Sequence, residues 1–269
     1  MIDFRSIISS THNYNFHTHS QFCDGHDTME AIARSAAAAG FLHLGFSPHS
    51  PLSIPSPCNM SRDDIAAYRS ETERLGRLLA PMQVYCGMEI DYLGPQWGPA
   101  SDYFRDLGLD FAIGSVHFIP SPTGEYIDID GPAERFRRNM GLHFRNDIRY
   151  VVETFYGQSR EMLARGGFDI LGHLDKIAHN ASDYHPGIED EGWYRKIVDE
   201  YLTEIINSGI AVEINTKAYE SAGRFFPQPR YWQRLAAAGV PLVVNSDAHH
   251  ADRVTSGRAE AFRLLETLL

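Results

Sequence analysis

Short apolar runs alternate along the chain with longer stretches in which apolar residues recur at three- and four-residue spacing. The short runs fall at 13–17, 41–47, 83–89, 111–117, 168–173, 210–215 and 241–247. Each is bounded by turn or breaker residues and reads as a strand. The spaced stretches at 29–39, 63–79, 148–164, 194–208, 231–238 and 258–268 read as helices. Gly40, Gly166, Gly167, Gly209 and Gly239 follow these helices, where a left-handed C-cap is wanted. Strands alternating with helices imply a parallel sheet covered by helices. Seven such units in 269 residues suit a closed or nearly closed α/β barrel in one domain over 1–269, with a doubly wound open sheet as the alternative. No GxGxxG or GxxxxGK[ST] segment follows any strand, so neither nucleotide fingerprint is available. The segment 119–141 lies outside the rhythm. It is rich in Pro, Gly and Asp and then in arginine (Arg135, Arg137, Arg138), and reads as a lid or a plain surface excursion.

The polar residues at the strand ends carry the chemistry. The first run ends in His17-Thr18-His19 and the second runs on to His49. The third ends at Glu89, the fourth at His117, the fifth at His173 and the last at Asp247-Ala248-His249. In barrels the C-terminal strand ends ring one small area, so groups placed there converge. His17 and His19 are two apart on an extended chain and face the same way, and Asp247 with His249 is expected to repeat that arrangement. Imidazoles mixed with carboxylates suit Zn, Mn or Fe rather than Mg or Ca. With one more donor from Asp24 or His26 there are nine, too many for one four-coordinate ion and enough for two or three divalent metals. Such a centre hydrolyses phosphorus or carbonyl esters with a metal-bound hydroxide as nucleophile.

Composition narrows this reading. The balance of 24 basic to 35 acidic residues, net -11, argues against a nucleic-acid surface, since polyanions bind clustered Lys and Arg. No apolar run is long enough for a membrane span. The N-terminal segment lacks the basic and apolar regions of a signal peptide. Three cysteines without a CxxC pair do not make a disulfide framework, which fits a reducing cytoplasm.

The segments HTHSQFCDG, SPH, GMEID, GSVHF, GHLD and NSDAH, in that order, resemble the PHP (polymerase and histidinol phosphatase) superfamily. More narrowly they resemble its stand-alone histidinol-phosphate phosphatases, over essentially the whole span from His17 to His249. The resemblance implies a distorted (β/α)7 TIM-like barrel with a trinuclear metal centre that hydrolyses phosphate esters. It places His17, His19, Glu89 and Asp247 on one metal, with Glu89 bridging to a second held by His117 and His173. A third metal would take His49, His249 and either Asp24 or His26. Pro48 stands where many members carry an acidic residue, which bears on a neighbouring contact and not on His49. The implied substrate is L-histidinol phosphate, hydrolysed in histidine synthesis with Glu89 and Asp247 as the catalytic carboxylates.

Phosphate also calls for fixed positive charge, and Lys217, Arg224 and Arg253 lie near the strand ends. Asp91 and Asp175, two residues beyond proposed ligands, are candidates to orient them, as Glu213 and Asn215 are on the sixth strand. His12, His43, His143, His179, His185 and His250 read as structural or surface groups. The competing functions are a PHP-type phosphodiesterase or exonuclease, a metal-binding regulatory member without turnover, and an amidohydrolase-like enzyme. The last lacks a strand-end lysine to carbamylate.

Overall fold

In the computed structural model, which describes residues 2–268, seven short strands pair side by side, all parallel. They are β1 (Tyr14–Asn15), β2 (His43–Phe46), β3 (Gln83–Asp91), β4 (Phe111–Ser115), β7 (Ile170–Leu171), β8 (Ala211–Asn215) and β9 (Leu242–Asn245), adjacent in that order. A separate antiparallel hairpin, β5 (Phe118–Pro120) and β6 (Tyr126–Asp128), leaves the end of β4. The helices are α1 (Phe4–Ser10), α2 (Met29–Ala38), α3 (Ile65–Leu78), α4 (Asp102–Arg105), α5 (Ala133–His143) and α6 (Ile148–Arg165). They continue with α7 (Ile177–Tyr184), α8 (Gly192–Ser208), α9 (Tyr219–Ala222), α10 (Trp232–Ala237) and α11 (Arg258–Glu266).

The first and last strands meet without a continuous ladder. Thr18 bridges to Ala248, the His19 amide donates to the Ala248 carbonyl at 2.9 Å, and the Asn245 side chain accepts from the Phe16 amide at 2.8 Å. The sheet is therefore a nearly closed barrel, as the alternating pattern predicts.

Strand alternation stratifies the interior. Phe16, Phe111, Ile113, Ile170, Ala211 and Val243 form an apolar layer at the lower end, plugged by Phe4 of α1. Further along the same inward faces stand Glu89, Asp91, Ser115, Glu213, Asn215 and Asn245, all buried and all polar. The outward residues Met88, Ile90 and Val212 pack into the layer under the helices. Gly45 and Gly87 make room for the lower layer: a Cβ on Gly87 would lie 2.2 Å from the Phe111 ring.

The helices form where the sequence supplies a cap and a stripe. Thr28 accepts from the Ala31 amide at the start of α2, which buries Met29, Ile32, Ala33 and Ala36. Gly209 ends α8 in the left-handed region at φ 69.

Two expectations need correction. All seven strands exist, but 168–173 shortens to Ile170–Leu171 and 241–247 to Leu242–Asn245. The polar residues at their ends leave the ladder and turn inward, so most of the candidate site lies just past the strands. The segment 119–141 is not a plain surface excursion but a packed wall over the strand ends. Ile119 and Ile127 are buried, and the hairpin is followed directly by most of α5.

Candidate metal centre

The polar layer opens at the C-terminal rim into a cluster built almost wholly from strand ends. His17 lies two residues past β1, His117 two past β4, His173 two past β7 and Asp247 two past β9. Glu89 alone is within its strand, on the inward face it shares with Gly87 and Asp91. Asp247 takes a left-handed backbone at φ 50, uncommon outside glycine, so the 247–249 segment is not extended as expected. The turn still delivers both side chains, with His249 Nδ1 3.4 Å from Asp247 Oδ1.

Three groups of donors converge: His17, His19 and Asp247; His49, Glu89 and His117; and His19, Asp24, His49 and His249. Glu89 joins them through two different oxygens. Its Oε2 lies 3.3 Å from His17 Nε2, 3.5 Å from His19 Nε2 and 2.9 Å from His49 Nδ1. Its Oε1 lies 2.8 Å from His173 Nε2 and 3.5 Å from His117 Nε2. Asp24 Oδ1 sits 3.3 Å from His249 Nε2 and 3.7 Å from His49 Nε2. His26 is turned away and stacks on His250, ring centroids 4.3 Å apart.

Metal ions fit this arrangement. The buried atoms His17 Nε2, His19 Nε2, Asp24 Oδ1 and Glu89 Oε2 have no hydrogen-bond partner in the protein, a state that costs free energy unless something else satisfies it. Ligands bound tetrahedrally at ~2.1 Å stand ~3.4 Å apart, and the four distances from His17 and His19 to Glu89 and Asp247 are 3.2 to 3.8 Å. His17 and His19 are 0% exposed, so bulk solvent does not reach these atoms.

A second set of carboxylates and carbonyls fixes the imidazoles. His17 Nδ1–H donates to Glu213 at 2.6 Å, and His117 Nδ1–H donates to Asp91 at 2.7 Å. His249 Nδ1–H donates to the Asp247 carbonyl at 3.0 Å. In each case the other nitrogen is left facing the cluster. Glu213 also accepts from the His173 amide at 3.0 Å, Asn245 at 3.0 Å and Asn215 at 3.1 Å. Both Glu213 and Asp91 are thus orienting groups. Asp175 is not: it accepts the Gln228 amide at 2.9 Å and is raised to about 7 by burial.

Charge in the cluster is sharply divided. Burial disfavours a charged His17, but Glu213, Glu89 and Asp247 lift its pKa well above the usual range. Burial, with His249 and His49 beside it, drives His19 well below. Burial opposes charge on His117 too, yet Asp91 and Glu89 raise it to about 10. Glu89 is held well below the carboxylate range by His17, His49 and His117 against the pull of burial.

The basic candidates are placed differently from one another. Lys217 Nζ is at the cluster, 3.3 Å from Asp247 Oδ1 and 3.2 Å from His249 Nε2. Arg224 is engaged by Glu189 through both terminal nitrogens at 3.0 and 3.1 Å. Arg253 is exposed and paired with Glu220, on the rim of a side cleft next to Lys217. Sequence reasoning missed Lys176, which lies just past His173 and Asp175 and enters the cavity over the cluster. Its signal was adjacency to the GHLD segment. Among the remaining histidines, His43 bonds Tyr85 at 2.9 Å and His12 stacks on Phe262.

A nearly closed parallel barrel with such a rim defines a protein built to hold divalent metal. The chain belongs to the PHP domain family, whose sequence profile matches residues 15–217. It is 27% identical over 264 residues to a protein of Deinococcus radiodurans named a probable histidinol-phosphatase, covering 92% of this chain and 90% of the relative. It is 24% identical over 256 residues to the histidinol-phosphatase of Bacillus subtilis, covering 88% and 94%. Among solved structures, a provisionally named histidinol phosphatase of Listeria monocytogenes superimposes with a TM-score of 0.81 at 19% identity, covering 92% of this chain and 99% of that one. A histidinol phosphate phosphatase of Lactococcus lactis, solved with Zn, L-histidinol and phosphate, gives 0.66 at 21% identity, covering 95% and 93%.

Proposed function

We propose that this chain, as one barrel over 1–269, is a metal-dependent phosphomonoesterase that hydrolyses L-histidinol phosphate to L-histidinol and phosphate. The carrying observation is the set of unpartnered buried donor atoms around Glu89, beneath a cavity lined by Asp24, His49, His117, Asp247, Lys176 and Lys217. Relatives named histidinol-phosphatase, matched over about nine-tenths of their length, support the substrate. His17, His19, Glu89 and Asp247 would hold one ion, His117 and His173 with Glu89 a second, and Asp24, His49 and His249 a third. Bound divalent metals supply Lewis acidity toward the phosphoryl group and lower the pKa of coordinated water.

The protein groups do the rest. Lys217 and Lys176 stand where phosphate oxygens would arrive, as fixed positive charge at growing negative charge. The Lys217 ammonium, held 3.3 Å from the ionised Asp247, is placed to give a proton to the departing alkoxide and to be reprotonated from solvent, with Asp247 fixing its position. The Glu213 and Asp91 carboxylates hold His17 and His117 in the tautomer that keeps Nε2 free. No side-chain nucleophile is required. A cytoplasmic setting is supported by three unpaired cysteines, and no helix among the described residues is long and apolar enough to cross a membrane.

The test is phosphate release by Zn- or Mn-loaded protein from histidinol phosphate, beside other monoesters and one bis-ester. Turnover of histidinol phosphate well above the others is expected. Preference for the bis-ester would move the reading to a phosphodiesterase.

A further inference from the structure

The cavity over the cluster is walled on one side by the chain leaving β6, which carries two carboxylates with no part in the chemistry above, Asp128 and Asp130. Their frame is rigid. The Ile129 amide donates to the His117 carbonyl at 3.0 Å, and the Asp130 amide donates to Asp128 Oδ1 at 2.8 Å. Asn180 donates to the carbonyls of Ile129 and Gly131 at 3.1 and 3.2 Å. Each carboxylate has one cation: Lys176 Nζ lies 3.3 Å from Asp130, and Arg135 lies 2.8 Å from Asp128.

A phosphate dianion in the cavity would compete with Asp130 for Lys176. Lys176 is mostly buried, with 12% of its side chain exposed, and it is one of two lysines in the cavity. Drawn to phosphate, it leaves Asp130 short of a partner. With Lys176 in place, burial raises the Asp130 carboxyl, but Lys176, His117 and Lys217 hold it well below the usual range, so the carboxylate that meets an arriving substrate is ionised. Burial and the Asp130 charge together raise Asp128 to about 6. A phosphoester with a neutral or anionic organic end would strand this carboxylate or repel it. One with an ammonium or imidazolium there would replace the lost lysine.

Resting on the phosphomonoesterase reading, we infer that Asp130, seconded by Asp128, selects phosphomonoesters whose organic end is cationic, exchanging its internal contact with Lys176 for one with that cation. The selection works chiefly by penalising the wrong substrate, as polar sites commonly do.

The experiment compares ethanolamine phosphate with glycerol 2-phosphate, and histidinol phosphate alongside, on metal-loaded wild type, Asp130→Asn and Lys176→Met. Wild type should favour the ammonium ester in kcat/KM. Asp130→Asn should shrink that ratio roughly ten- to hundredfold, the scale of one hydrogen bond to a charged group, mainly through KM. Lys176→Met should weaken both esters alike, because the phosphate is common to them. A ratio unchanged in Asp130→Asn would overturn the inference and leave Asp130 as a prop for Lys176. Calorimetric binding of the same esters gives the ratio if turnover is absent. Charge preference without histidinol phosphate hydrolysis would sink the substrate reading alone. Histidinol phosphate turnover without charge preference would sink this inference alone.

Discussion

Asp24 and His26 stand two residues apart, and either could have supplied the last ligand on sequence grounds. The backbone between them decides the geometry: Gly25 packs so closely that a Cβ would lie 2.3 Å from the Ser20 amide nitrogen. The tight turn aims Asp24 at His49 and His249 and leaves His26 against His250. Asp24→Ala should therefore lose about one equivalent of bound metal by elemental analysis, together with most turnover, while His26→Ala keeps both. The reverse pattern would move the third site. Asp247 shows a related feature. A backbone at φ 50 costs on the order of 1 kcal/mol or more in a non-glycine residue, and here it turns the carboxylate back under His19, 3.2 Å from Nε2.

At the scale of the elements, each strand divides its labour between a lower apolar half and an upper polar end. In β3 that division depends on Gly87, over which the Phe111 ring lies. Gly87→Ala should lower stability by roughly 1–3 kcal/mol, the usual cost of overpacking, read as a drop in the thermal midpoint. An unchanged midpoint would show that Phe111 repacks freely. The strand ends were legible because His and carboxylates are scarce among apolar runs, and six of seven such runs ended in them. Strand lengths were less legible, since inward-turning ligands and ladder residues share the same apolar neighbours. The 118–128 hairpin was hidden by its Pro, Gly and Asp content. Lys217 was found from its place after β8, but Arg224 was indistinguishable from it in sequence. Only the fold brings Glu189 under that guanidinium. Lys176 was overlooked because a lone lysine after a strand is ordinarily solvated.

Across the whole molecule the cluster couples metal to protons. Without metal, burial disfavours charge on His17, His49 and His117, but neighbouring carboxylates raise all three above the usual histidine range. His117, raised to about 10, is protonated at neutral pH, and the upward shifts of His17 and His49 favour their charged forms, whereas a ligand imidazole must be neutral. Zn uptake should release protons, and affinity should strengthen as pH rises. Calorimetric titration in two buffers of different ionisation enthalpy measures the number released; a value of zero would contradict the charge distribution described here.

The barrel's seam has one further consequence. The proposed ligands come from both sides of the place where β1 meets β9 through Thr18 and Ala248, so the set runs from residue 17 to residue 249 of the chain. During synthesis on the ribosome, a nascent chain shorter than this has no complete binding site, however much of its sheet has formed. Metal can be captured in full only once the last strand has docked beside the first. With the proposed ligand set, full ion loading would therefore report completed assembly, and an ion held by His17, His19 and Asp247 would clasp the two ends of the sheet together.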